Sequence, residues 1–107
     1  NMGSLAGERI MEVPVHYAAS KAAIKGFTLA LTKELSRYGI RVNCVVPGLI
    51  DGGVGRKVTE KQKNQYLEFC TAGRLGQPNE VANLVVFLAS KKSAYINGQI
   101  IHIDGGI

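Results

Sequence analysis

The stretch YAASKAAIKGFTLALTKELSRYGIRVNCVVPG, from Tyr17 to Gly48, predicts a long helix that leads directly into a buried strand. Between Tyr17 and Tyr38 there is no proline, and apolar residues recur at helical spacing, at Ile24, Phe27, Leu31 and Leu35. Gly39 stands where a helix C′ residue is expected. The segment Arg41 to Val46 is rich in β-branched residues and alternates poorly, which is typical of a strand buried on both faces, and Pro47 stops it.

The rest of the chain predicts two more helices and one more strand. Pro78 and Glu80 suit the first turn of a helix from Gln77 to Ala89, and a more polar helix is expected from Thr59 to Thr71. A last strand is expected from Gln99 to Ile103. Strands separated by helices favour an α/β fold with a parallel sheet and right-handed crossovers.

Two strands are too few for such a sheet, because parallel strands need neighbours at most edges and cover on both faces. The chain also begins in what resembles the end of a strand running into a loop. We therefore expect these 107 residues to be the C-terminal part of a larger α/β domain, and not to be a stable monomer by themselves.

Composition predicts a globular protein that binds neither nucleic acid nor membranes. Of the 107 residues 46% are hydrophobic, and the formal net charge is +5. The basic residues are scattered without interleaved aromatic side chains, so a solvated basic surface explains the charge better than a nucleic-acid site. No apolar run approaches a membrane span, and the first residues do not have the pattern of a signal peptide. The two cysteines, Cys44 and Cys70, lack the spacing of metal ligands and are expected to be reduced thiols.

Tyr17 and Lys21 are the first candidate catalytic residues. Four positions apart on one helix, their side chains lie one above the other on the same face. An ammonium held beside a phenol favours its ionised form, and such a phenol can give a proton to a carbonyl oxygen or take one from an alcohol. The competing interpretation at this point is an ordinary exposed helix pair.

Two further features favour a site at one edge of the sheet. Ser4 lies 13 residues before Tyr17, in the loop after an expected strand, and its hydroxyl is able to bind the same substrate oxygen. The alternative interpretation is an ordinary turn serine in the GSLAG loop. Pro47 and Gly48 directly follow the strand RVNCVV. Since ligands of open parallel sheets bind outside the carboxyl ends of the strands, we expect all four residues at that edge.

Taken together, these segments resemble the short-chain dehydrogenase/reductase family, and most closely its 3-oxoacyl-(acyl-carrier-protein) reductase branch. The resemblance covers essentially the whole chain: GS at Gly3–Ser4, YAASKAAIKGFT from Tyr17, LTKELSRYGIRVNCVVPGLI from Leu31, AGRLGQPNEVANLVVFLAS from Ala72 and YINGQIIHIDGG from Tyr95. It implies the C-terminal half of a Rossmann-like doubly wound parallel sheet. It also implies reduction of a ketone by NAD(P)H, most closely of a 3-oxoacyl thioester on acyl carrier protein in fatty acid biosynthesis.

The resemblance assigns a role to each candidate residue. Tyr17 matches the proton donor, and Ser4 matches the serine that polarises the substrate carbonyl. Lys21 matches the lysine that favours ionisation of the tyrosine and binds the nicotinamide ribose. The cofactor contacts are then Tyr17 and Lys21 together with the segment whose backbone lines the nicotinamide, at Pro47, Gly48 and Ile50. Asn43 matches a mainly structural asparagine.

The resemblance also implies how the protein works as a whole. NADP(H) is preferred to NAD(H) as the cofactor, the location is cytoplasmic or in an organelle matrix, and the native state is a homotetramer. The segment Asp51 to Tyr66 matches a mobile lid over the substrate. No metal is expected.

The sequence departs from the family pattern in two ways. A cofactor-contacting threonine is replaced in the glycine-rich stretch at Gly52. The dinucleotide-binding half does not precede Asn1 in this sequence, so we expect the chain alone neither to bind a dinucleotide well nor to turn over. The alternatives left open are a reductase of another small ketone, an alcohol dehydrogenase of the same family, and a non-catalytic fragment whose role is association.

Overall fold

A computed structural model describes residues 1–107 and shows three α-helices around a short parallel sheet. Helix α1 spans Val15–Leu35, α2 spans Glu60–Phe69 and α3 spans Pro78–Ala89. Strand β1 (Cys44–Pro47) pairs in parallel with β2 (Ile100–Ile103), with Cys44 opposite Ile100. On the other side of β1, Met2 forms a parallel bridge with Val45. The order is that of the α/β fold predicted from the sequence, and β1 occupies the middle of the sheet.

The helix ends follow from local capping. Thr59 caps α2 in a reciprocal pair with Gln62. At the start of α3 the Glu80 carboxylate accepts from the N–H of the N-cap residue Gln77, and Pro78 lies in the first turn. Helix α1 continues as a 3₁₀ turn over Ser36–Tyr38, and Gly39 then takes a left-handed conformation with φ of 70°. The predicted helix ends are therefore correct to within about three residues.

The prediction that the strand begins at Arg41 is wrong, because β1 begins at Cys44. The side chains of Arg41 and Asn43 and the N–H of Val42 bind the end of α3 and the turn that precedes β2. The Val42 N–H donates to Asn97 Oδ1 at 2.8 Å, and the Arg41 guanidinium donates to the carbonyl oxygens of Leu88, Ser90 and Ile96. Asn43 likewise donates to the Ile96 carbonyl oxygen at 3.0 Å.

The core is small and lies between β1, α2 and the loop after Met2. Its buried members are Leu5, Cys44, Val46, Tyr66 and Cys70. In α1 only Thr28 is buried. Large apolar side chains of this helix, such as Val15 and Phe27, are exposed. In α3, Val86 is 68% exposed. None of the helices combines the length and the apolarity that a membrane crossing requires.

Candidate active site

A cleft of about 500 Å³ opens at the carboxyl edge of the sheet. Residues after the Met2 bridge and residues after β1 line it together, because the two segments run in the same direction. Ser4, Tyr17, Pro47, Gly48 and Ile50 all contribute to the wall. The placement of Ser4, Tyr17, Pro47 and Gly48 at one edge of the sheet therefore agrees with the expectation from the sequence, whereas their roles stay predictions. Ser4 and Tyr17 carry the only hydroxyl groups of the lining, and none of the lining side chains is charged.

Ser4 is positioned by a short 3₁₀ turn that packs on α1. It is the N-cap of the turn Leu5–Gly7, and its Oγ accepts a hydrogen bond from the Ala6 N–H at 3.2 Å. The hydroxyl hydrogen of Ser4 has no partner within the chain, so it is free to donate into the cleft. A Cβ added at Gly7 would lie 2.6 Å from the backbone nitrogen of Ala22. This contact requires glycine and brings the Ser4 turn close to α1, the helix that carries Tyr17. Sequence reasoning missed it.

Tyr17 lies in the first turn of α1 and is half-buried at the cleft wall. Its Oη has no hydrogen-bond partner within the chain, whereas its backbone carbonyl accepts from the Ser20 hydroxyl at 2.8 Å. A phenol that faces a cleft without an internal partner is available to a ligand.

Lys21 lies next to Tyr17 but behind the cleft wall rather than in it. Its Nζ is 5.8 Å from the centroid of the Tyr17 ring and donates a hydrogen bond to the Met2 carbonyl oxygen at 3.2 Å. The predicted side-by-side placement on one helical face is present. Since an ammonium group carries three hydrogens, the bond to Met2 leaves two for other acceptors.

Backbone hydrogen bonds fix both ends of the segment from Gly48 to Asp51, whereas the N–H of Ile50 within it is unpaired. The Gly48 N–H donates to the Ile103 carbonyl at 3.0 Å, and the Asp51 N–H donates to the Gly76 carbonyl at 2.8 Å. Between them, the Ile50 N–H has no acceptor within the chain, and Ile50 lines the cleft. A fixed backbone with one unpaired N–H is suited to bind a carbonyl oxygen of a ligand.

Gly52 is the position at which the sequence departs from the family pattern. The residue lines the cleft, and a Cβ added there would lie 3.0 Å from Pro78 Cγ. The close approach of α3 therefore leaves little room for a larger side chain at this position.

Tyr66 is a residue near the site whose contacts sequence reasoning missed. It is buried, and its hydroxyl donates to the Asp104 carbonyl at 2.6 Å. Burial raises the pKa of this hydroxyl. The only sequence signal was an aromatic residue at an apolar position of a polar helix, which predicts packing but not the hydrogen bond.

His16, Asp51 and His102 do not line the cleft. His16 and Asp51 are exposed, and His102 contacts Glu8 with 2.8 Å between its Nε2 and a carboxylate oxygen. The polar side chains of the cleft lining are therefore those of Ser4 and Tyr17, and Lys21 lies next to Tyr17 outside the lining.

Comparison with known proteins places this architecture in context. The family model described as enoyl-(acyl carrier protein) reductase matches residues 1–107. The chain is 43% identical over 107 residues to the 3-oxoacyl-[acyl-carrier-protein] reductase of Chlamydia trachomatis serovar D, a match that covers 100% of this chain and 43% of that protein.

Solved structures that are similar to this chain include reductases of the same description. The 3-oxoacyl-[acyl-carrier protein] reductase from Brucella melitensis ATCC 23457 is similar with a TM-score of 0.93 and 39% identity, covering 100% of this chain and 40% of that chain. A second Brucella melitensis structure of such a reductase, with bound NAD, has a TM-score of 0.89 and 38% identity, covering 100% and 39% of the two chains.

The chain thus spans less than half the length of the relatives that it matches. The match nevertheless includes every residue of the chain, and the fold agrees with it. The chain belongs to the short-chain dehydrogenase/reductase family.

Proposed function

We propose that this chain is the C-terminal part of a single short-chain dehydrogenase/reductase domain that reduces a ketone with NAD(P)H. The observation that carries the proposal is the pair of hydroxyl groups in an uncharged cleft. The Tyr17 Oη and the Ser4 hydroxyl hydrogen both lack internal partners and face the same space. Two such donors suit a carbonyl oxygen that gains negative charge during reduction.

The residues present fit a nicotinamide cofactor. The unpaired Ile50 N–H suits the carbonyl oxygen of the carboxamide, and Pro47 and Gly48 supply a smooth backbone wall beside it. The two remaining hydrogens of the Lys21 ammonium suit the ribose hydroxyls, with Tyr17 adjacent. When bound, the reduced cofactor would supply the hydride.

The chain's own residues would then bind and protonate the substrate oxygen. Ser4 donates a hydrogen bond to that oxygen and orients the carbonyl. Tyr17 gives its proton to the same oxygen, which yields the alcohol. The Lys21 ammonium is held by its hydrogen bond to the Met2 carbonyl, so its positive charge stays beside the ring of Tyr17. There it stabilises the negative charge that is left on the Tyr17 oxygen.

The uncharged, mainly apolar wall favours an acyl thioester over a keto acid or a sugar. Met11, Val13, Val54 and Val58 lie along it and offer hydrophobic contact to an acyl chain. We therefore propose a 3-oxoacyl thioester on acyl carrier protein as the substrate, in line with the names of the relatives. NADP(H) as the preferred cofactor, a homotetramer and a cytoplasmic location belong to the same proposal.

The experiment is a cofactor-oxidation assay with the full-length protein that contains this chain. The decrease of NADPH and of NADH is followed with a 3-oxoacyl thioester, with the matching 2-enoyl thioester and with a charged keto acid. We expect turnover of the 3-oxoacyl thioester alone, faster with NADPH. Turnover of the enoyl thioester alone would indicate an enoyl reductase. Cofactor binding, measured by a separate fluorescence titration, without turnover of any of the three substrates would favour the association role.

A further inference from the structure

Tyr66 connects α2 to two backbone segments at the sheet edge, the one that follows β1 and the turn that follows β2. It is the one buried residue of α2, with 9% of its surface exposed. Its hydroxyl donates to the Asp104 carbonyl at 2.6 Å. A Cβ added at Gly48 would overlap the Tyr66 hydroxyl and would lie 2.8 Å from Asp104 Cα. The hydroxyl therefore fills the space between Gly48 and the turn that follows β2.

Gly48 begins the segment whose Ile50 N–H is unpaired at the cleft. Leu49 packs against the core cluster that contains Tyr66, and its carbonyl accepts from the Gly76 N–H at 3.0 Å. The peptide units around Ile50 are thus fixed by neighbours that do not face the cleft. Tyr66 is the only side chain among them that supplies a polar group, because the other partners are backbone atoms.

Helix α2 also reaches the cleft at its other end. The Gln62 side chain donates to the Glu12 carbonyl at 3.3 Å, between the cleft-lining residues Met11 and Val13. Through Gln62 and Tyr66, one helix contacts two separate parts of the cleft wall. The Tyr66 contact is the buried one of the two, so it is the one that constrains the backbone more tightly.

We propose that Tyr66 is a positioning residue that holds the Gly48–Ile50 backbone in the shape that presents the Ile50 N–H to the nicotinamide carboxamide. This inference rests on the proposed function. Loss of the hydroxyl leaves the Asp104 carbonyl without its donor and frees the peptide units beside it. The consequence falls on the nicotinamide end of the cofactor and not on its adenosine end.

A purely structural role for Tyr66 would have a different signature, and Thr71 supplies the comparison. The Thr71 hydroxyl donates to the Gly105 carbonyl at 2.8 Å, in the same turn that Tyr66 contacts. Thr71 neither lines the cleft nor contacts Gly48. Thr71→Val therefore loosens the turn without touching the segment that carries Ile50.

The test measures binding to the full-length protein for Tyr66→Phe, Thr71→Val and the parent protein. The dissociation constants of NADPH, NADH and ADP-ribose, which lacks the nicotinamide, are determined by fluorescence titration and calorimetry. For Tyr66→Phe we expect the dissociation constant of the preferred reduced cofactor to rise about five-fold, the loss typical of one buried hydrogen bond, while that of ADP-ribose stays constant. Thr71→Val should change neither.

Each other outcome counts against the proposal. If Tyr66→Phe raises the dissociation constants of the reduced cofactor and of ADP-ribose equally, or raises neither, Tyr66 has no specific role at the nicotinamide. Equal weakening by Thr71→Val would show a general effect of the turn. A Tyr66→Phe protein that does not fold would show that the hydroxyl maintains the fold instead. A parent protein that binds neither NADPH nor NADH would overturn the proposed function as well, which separates the two failures.

Discussion

Gly7 and Gly26 show that glycine has different roles at a close contact with α1 and at an open position within α1. Gly7 packs on the backbone of α1 so closely that an added Cβ would lie 2.6 Å from the Ala22 nitrogen and 2.7 Å from the Lys21 carbonyl carbon. Gly26 lies within α1, and an added Cβ there would meet nothing within 4 Å. The first glycine brings the Ser4 turn to the helix, and the second only adds flexibility to the helix.

Gly7→Ala should therefore lower the free energy of unfolding of the full-length protein by about 1–3 kcal/mol, the usual cost of forcing atoms into a filled space. Gly26→Ala is the matched control and should raise that free energy by about 0.5–1 kcal/mol, because alanine favours a helix. Denaturant unfolding measures both. Equal losses at the two positions would contradict the close packing of Gly7.

The unpaired Tyr17 hydroxyl has its own prediction. Tyr17→Phe removes a proton donor and little packing, so kcat should fall by about 100-fold or more while the cofactor dissociation constant stays close to normal. Tyr38→Phe is the control, since Tyr38 is 63% exposed and does not line the cleft. A Tyr17→Phe protein that retains most of its kcat would show that another group is the acid.

At the scale of elements, α3 is fixed at its first turn by an ion pair that also caps the helix. Both carboxylate oxygens of Glu80 accept from the Arg74 guanidinium, at 2.7 and 2.8 Å, and one also accepts from the Gln77 N–H at 2.7 Å. The Arg74 hydrogen bonds, followed by that of Gln77, lower the pKa of Glu80 from 4.5 to about 2. The pair is half-exposed, so solvent screens it and its effect on stability is modest.

A lowered pKa means that the folded protein favours the ionised carboxylate. The stabilisation by Glu80 should be complete above about pH 4.5 and should disappear as the pH falls from 4.5 toward 2. Glu80→Gln should therefore be less stable than the parent protein at neutral pH, with the difference shrinking across that window. Denaturant midpoints at several pH values measure this effect. Glu68→Gln, an exposed residue of α2 without an ion pair, should show no such trend.

At the scale of the whole molecule, the chain exposes more surface than its mass explains. Its accessible area is 7181 Å² for 11.5 kDa, against about 5,800 Å² for a compact monomer of that mass. The radius of gyration is 14.7 Å, against about 13 Å for a compact chain of this length. Exposed large apolar side chains on the helices include Val15 and Phe27 of α1 and Val86 of α3. Such apolar faces are stable in water only when other protein covers them.

The 107-residue chain expressed alone should therefore associate or melt without cooperativity, and should bind NADPH poorly. Sedimentation, thermal unfolding and cofactor titration test these three statements. In the full-length protein, Phe27→Asp should shift the sedimentation coefficient or lower stability, because the apolar face of α1 is expected to be covered. A monomeric chain that unfolds cooperatively and binds NADPH tightly would contradict the expectation that these residues are half of a domain.

The sequence alone determined the order of elements and the edge of the sheet that carries the candidate site. Helical spacing, capping residues and the Pro47–Gly48 stop are local signals, so α1, α3 and β2 were predicted to within a few residues. The beginning of β1 was not, because Arg41 to Asn43 form hydrogen bonds with the end of α3 and with the turn before β2, which are 47 to 55 residues away.

Only the tertiary structure decided which groups in the cleft are free and which are fixed. No local pattern reveals that Ile50 keeps an unpaired N–H, that Gly7 must lack a side chain to meet Ala22, or that the Tyr66 hydroxyl lies against Gly48. These facts depend on the distance between segments that are far apart in the chain. The residue types at the site follow from the sequence, whereas their hydrogen-bonding state follows from packing, since each contact involves partners contributed by different elements.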